Sequence, residues 1–187
     1  LINGTRWLNG KDSTAKPVGF PNFHQGFGCL DMSTTLPHEK AKFDLAWVDT
    51  WTDPDLGLTQ EDVHQWAFTV EKGTELRVCL AYTDPAARAI QNDLDLMLEG
   101  PTGSKKWRGN AQIPSASFMA GVDRRNTVEV IRLEAKQVES GTYIVQVSPW
   151  NLVAGEAKHY ALVITGALKR VQGGPNASST NSSELLS

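Results

Sequence analysis

Tyr82-Thr83-Asp84-Pro85 and, a short loop later, Asn92-Asp93-Leu94-Asp95-Leu96 concentrate the residue types that could do chemistry. Side chains alternate along a strand, so Asp93 and Asp95 would point to one face about 7 Å apart, the rise of two strand residues. Two carboxylates so placed call for a cation, and calcium, which accepts roughly six to eight oxygens, is the natural candidate. Its expected ligands are Asp84, Asn92, Asp93 and Asp95, joined by Asp123 from a second polar group formed by Gly109-Asn110 and Val122-Asp123-Arg124-Arg125-Asn126. The spacing lacks the complete oxygen pattern of an EF-hand. The alternative stays open that Asp84 and Asn92 cap a loop while Asp93 and Asp95 line a solvated sheet face.

A serine hydrolase needs a nucleophile, a base and a carboxylate that orients the base. No Gly-x-Ser-x-Gly elbow is present, and no Gly-Thr-Ser followed by a small-residue helix. His24, His38, His64 and His159 stand in a turn-rich segment, after a proline, within one strand and at the start of another, so each is expected to be a surface or hydrogen-bonded structural histidine. Nothing singles out a pair of glycosidase carboxylates. Among the six tryptophans, Trp47, Trp66 and Trp150 fall in or beside apolar alternation and are expected in the core. Trp51 and Trp107, in polar surroundings, are the candidates for stacking on a sugar.

The elements that must position these residues are strands. Phe43, Leu45 and Trp47 alternate, as do residues 63–70, 127–133 and 142–147; residues 75–82, 95–99 and 159–165 complete the set. Gly100-Pro101-Thr102-Gly103 is a strong hairpin signal. Seven or eight short strands of period two with no long helix predict an all-β, antiparallel β-sandwich of jelly-roll type over residues 39–168. Residues 1–38 are rich in Gly, Pro and Asn, and their helix-like stretch is Leu30 to Leu36. The Gly-, Ser- and Asn-rich residues 169–187 predict a flexible tail, because they bury too little apolar area to offset the entropy of ordering.

With 187 residues, 40% hydrophobic and 21% charged, the chain can build one main core. A net charge of −3, without a basic stripe, argues against a nucleic-acid partner. No apolar run reaches the roughly 18 residues of a spanning helix, so no membrane span is expected. Cys29 and Cys79 have no zinc or redox spacing, and Cys79, inside an apolar run, is expected as a buried free thiol. Asn3, Asn176 and Asn181 begin Asn-x-Ser/Thr sequons, usable if the chain is secreted.

In order and spacing, Leu76 to Asp84, Asn92-Asp93-Leu94-Asp95-Leu96, Gly100-Pro101-x-Gly103, Gly109-Asn110, Asp123-x-x-Asn126-x-Val128-Glu129, Ser140-Gly141-Thr142-Tyr143 and Ala161-Leu162-Val163-Ile164 resemble the β-jelly-roll domain that follows the catalytic domain in some subtilisin-like serine proteases. The resemblance covers residues 60–166. Independently, Leu1-Ile2-Asn3-Gly4 resembles the end of the helix that follows the serine in those catalytic domains. Asn22-Phe23-His24-Gln25-Gly26-Phe27-Gly28 is similar to the stretch that opens their final helix, with Phe27 in place of the usual tryptophan.

The resemblance implies that residues 1–38 close a subtilisin-like catalytic domain whose Ser, His and Asp lie upstream, so that this chain carries no catalytic residue of its own. It further implies a serine endopeptidase acting by acyl transfer, with the upstream catalytic domain as partner of a stabilising sandwich that carries calcium, in a secreted or endomembrane setting. The competing expectation is a free-standing module that binds carbohydrate or protein.

Overall fold

The computed structural model describes residues 1–8, 21, 25–111, 123–153 and 157–175. After a single 3-10 turn at Ile2–Gly4, two short strands, β1 (Thr5–Arg6) and β2 (Cys29–Leu30), pair with each other. The main body consists of β3 (Asp44–Asp49), β4 (His64–Val70), β5 (Leu76–Tyr82), β6 (Asp93–Glu99), β7 (Lys106–Arg108), β8 (Val128–Leu133), β9 (Gly141–Asn151), β10 (Tyr160–Gly166) and β11 (Leu168–Pro175). These form two antiparallel sheets, one in the order β3-β10-β5-β8 and one in the order β11-β4-β9-β6-β7. The all-β antiparallel architecture expected from period-two patterning is present. Helical structure among the described residues is limited to single 3-10 turns.

From β3 onward the chain changes sheet at every connection except β6 to β7. That exception is the Gly100-Pro101-Thr102-Gly103 hairpin, where Gly103 takes a positive φ of 72° that suits a residue without Cβ. One core fills the space between the sheets, built on Trp66, Phe68, Tyr143 and Tyr160 with Leu76, Leu80, Leu94, Leu96, Leu98 and Leu162. Alternating buried positions along β4 and β10 supply it, as the pleat requires.

Strand β3 uses the opposite face from the one its large apolar residues suggest. Ala46 and Val48 turn to the core, whereas Trp47 is 55% exposed on the outer face. A one-residue change of register inverts a strand, and here the small residues are the ones that fit between β3 and the core. Trp150, also expected inside, is half exposed at the end of β9, where the strand outruns its partner β4.

Residues 169–175, expected to belong to a flexible tail, instead continue the edge strand Leu168–Pro175 that pairs with β4, drawing their order from ladder hydrogen bonds rather than from apolar content. Residues 176–187, with the sequons at Asn176 and Asn181, lie outside the described residues. The helix-like stretch at Leu30 to Leu36 contains one 3-10 turn, Met32–Thr34, capped by the Asp31 carboxylate on the Ser33 N–H. Ser33, Thr34 and Thr35 favour such local bonding over helix propagation, and Pro37 stops it. The stretch Asn22-Phe23-His24 lies outside the described residues.

Candidate functional site

Asp84, Asn92, Asp93, Asp95 and Asp123 come together at one end of the sandwich, where the loop entering β6 meets the loop entering β8. Their oxygens are used in three separate ways. Asp84 spans the loop before β6: one oxygen accepts the Gln91 N–H at 2.7 Å, and the other accepts the backbone N–H and side-chain amide of Asn92, both at 2.9 Å. Burial opposes its charge, but these donors outweigh it and hold the carboxyl below its ordinary range. The Asn92 side-chain oxygen accepts the Val153 N–H at 3.0 Å, so this buried amide ties the β6 loop to the chain leaving β9.

Asp93 and Asp95 do face one cation, and it is Arg124. The guanidinium stands 2.5 Å from one Asp95 oxygen, 3.3 Å from the other and 3.2 Å from Asp93 Oδ2. Its Cζ lies 4.3 Å from the Trp150 ring centroid, a cation–π contact that adds to the hold on the arginine. Asp93 is buried, and its Oδ1 has no hydrogen-bond partner among the described residues. Burial pushes its carboxyl up to about 6; Arg124 opposes this, and Asp95 and Asp123 reinforce it.

Asp123 organises the loop that carries Arg124. It accepts the N–H groups of Arg125 and Asn126 and the side-chain amides of Asn110 and Asn126. Asn110, at a φ of 54° that asparagine tolerates better than most residues, acts as a substitute strand for β8. Its N–H donates to Val130 O, its Oδ1 accepts from Val130 N, and its Nδ2 donates to Val128 O. The free edge of β8 thereby finds partners at Val128 and Val130.

Sequence reasoning did not single out Arg124 and Glu129, which complete the cluster. Glu129 sits at an inward position of β8, on the parity of Ile131 and Leu133, and its carboxylate accepts the Leu96 N–H from the opposite sheet at 2.6 Å. Burial drives its carboxyl well above the ordinary range; the Leu96 N–H opposes this, and Asp95, Asp123 and Asp93 add to it. The available signal was a glutamate at a core-parity position between Val128 and Ile131.

As placed, the five expected ligands do not form one coordination shell. Arg124 occupies the position between Asp93 and Asp95, and the oxygens of Asp84 and Asn92 are bonded to the chain. Among the described residues, no group of three or more His, Cys, Asp or Glu side chains is arranged to hold a metal ion. The described histidines bond to other groups than a nucleophile: His38 to Ser33 O, His159 to Thr50 O and buried His64 to the Tyr160 hydroxyl. His24 lies outside the described residues.

Trp51 is exposed, and its ring packs on His159 with centroids 5.0 Å apart. Trp107 instead stacks on Tyr143 and closes over Gly100, which leaves it half-buried. Cys79 is a buried free thiol, and burial raises it to about 11; Cys29 is free and exposed. No described helix is long and apolar enough to cross a membrane. No protein-family model matches the chain, and a search of the curated proteins finds no match.

Proposed function

We propose that the chain is the C-terminal region of a subtilisin-like serine endopeptidase, a jelly-roll accessory domain with the last segment of the catalytic domain attached, acting to stabilise a catalytic unit encoded upstream. The observation that carries this reading is the distribution of exposed apolar side chains. Leu1, Leu8, Leu30, Met32 and Leu36 all present themselves to solvent from the N-terminal segment, next to the outer sheet face that bears Trp47. A run of exposed apolar side chains within one segment is the kind of surface that a packing partner covers. A secreted or endomembrane setting belongs to the same proposal, and so does calcium.

The test joins this chain to the polypeptide that precedes Leu1 in its gene and applies a serine-directed fluorophosphonate. Label is expected on the preceding polypeptide and not on this chain, and deletion of residues 39–187 is expected to lower the thermal midpoint of the labelled unit. Absence of a labelled serine, or an unchanged midpoint, would sink the reading. Calcium is tested by comparing midpoints in excess calcium and in chelator, since a ligand bound by the native state alone raises stability by RT ln(1 + [L]/Kd).

Exposed Trp47 and Trp51 favour the second reading, a carbohydrate- or protein-binding module. It predicts saturable quenching of tryptophan fluorescence by oligosaccharides, abolished in Trp51→Ala.

A further inference from the structure

The outer face of the four-stranded sheet is crossed by one polar row. Thr165 on β10 pairs with Arg77 on β5, which pairs with Arg132 on β8. The next row up the same face is Val163, Cys79 and Val130. Two guanidinium groups directly opposite each other on adjacent strands repel. Glu75 forms a salt bridge with Arg77, at 2.7 Å.

What the row meets is the backbone of the N-terminal turn. Arg77 Nη1 donates to Asn3 O and to Thr5 O, both at 3.1 Å. Arg132 Nη2 donates to Ile2 O at 3.2 Å and to Thr5 Oγ1 at 2.6 Å. Asn3 Nδ2 donates to Thr165 Oγ1 at 3.0 Å, which leaves Asn3 buried. Every member of the row therefore bonds to residues 2–5, and three of the five bonds go to backbone carbonyls. The same turn holds the rest of the N-terminal unit: Thr34 donates to Gly4 O, and β1 pairs with β2.

The covalent link from this unit to β3 is of a different character. Residues 36–40 are exposed, and the backbone bonds at its two ends are local, Leu36 to Met32 and Ala41 to His38. Exposed connections of this kind are where proteases nick folded chains.

We propose that the Thr165–Arg77–Arg132 row is a peptide-docking site that holds residues 2–5 chiefly through their backbone carbonyls, so that the N-terminal unit stays on the sandwich after the chain is cut within 37–42. The proposal stands whether or not the protease reading holds. Cleavage of the connection would then leave a two-piece molecule rather than release the N-terminal unit.

The test inserts the recognition sequence of a site-specific protease between Glu39 and Lys40, cuts the folded protein and follows the pieces by size exclusion and native mass spectrometry. The wild-type pieces are expected to co-elute. In R77M/R132M their association is expected to weaken by roughly 100-fold, the loss of several hydrogen bonds from charged donors. Separation of the wild-type pieces, or equal affinity in the variant, overturns the proposal. If R77M/R132M does not fold, R77K/R132K keeps both charges without the forked donor geometry. It is expected to weaken association about tenfold, and unchanged affinity there also overturns the proposal.

Discussion

The Glu129 carboxylate accepts the Leu96 N–H at 2.6 Å, joining β8 of one sheet to β6 of the other inside the sandwich. Strand β7 reaches β6 only from Met97 to Glu99, so Leu96 lies just beyond the ladder and its N–H needs another acceptor. Glu129→Ala is expected to cost about 1–3 kcal/mol by leaving that buried donor unpaired. Denaturant unfolding of the variant measures it.

The ionisation of Glu129 and Asp93 sets a pH dependence. The folded-state carboxyls of Glu129 and Asp93 are raised, so their contribution is fully present below the unfolded carboxylate range near pH 4 and is lost as pH rises through the folded values, about 6 for Asp93. Glu129→Gln and Asp93→Asn are each expected to remove part of this loss. Midpoints recorded from pH 4 to 8 should fall less steeply in each variant than in wild type.

His64 acts in the opposite direction. Burial lowers its folded-state value, so the unfolded chain takes up a proton first, and stability falls as pH drops below about 6.5, the ordinary histidine value. His64→Gln, which can keep a bond to the Tyr160 hydroxyl, is expected to flatten the acid limb of the same curve. An unchanged limb would contradict the assignment.

Arg124 supplies the positive charge for Asp93 and Asp95. Arg124→Met is expected to cost about 2–3 kcal/mol at pH 8, somewhat below the range for a fully buried pair because the arginine is partly exposed. The cost should shrink at pH 5, where Asp93 can take up a proton. Equal losses at both pH values in urea unfolding would rule this out.

Gly109 has room for no side chain, because a Cβ there would overlap the Cβ and carboxylate of Glu129. Gly109→Ala is expected to destabilise by about 1–3 kcal/mol through overpacking, and Glu129→Gly, which removes both the Cβ and the carboxylate, to relieve most of that increment. A double-mutant cycle measures the coupling.

The strand content was written in the local pattern, because a period of two along 63–70 or 159–165 needs only one buried face to be read. The partners of each charge were not.

 Arg124 follows Asp123 in a turn-rich stretch, and nothing local says that it will meet Asp93 and Asp95 some 30 residues earlier, so the acidic spacing gave no sign of the arginine that pairs with both. Trp47 illustrates the same limit, since alternation names two faces and only packing chooses between them.

By itself, the sequence determined the all-β class, the hairpin at Gly100 to Gly103, the buried thiol of Cys79 and the acidic residues that gather at the start of β6 and in the loop before β8. The tertiary structure decided what those acids bind, which face of β3 turns inward, that pairing continues through Pro175, and that Arg77 and Arg132 hold the backbone of residues 2–5. The physical reason is distance along the chain. Asn3 meets Thr165 across 162 positions, and a hydrogen bond between groups so far apart depends on every strand pairing between them rather than on any pattern near either residue.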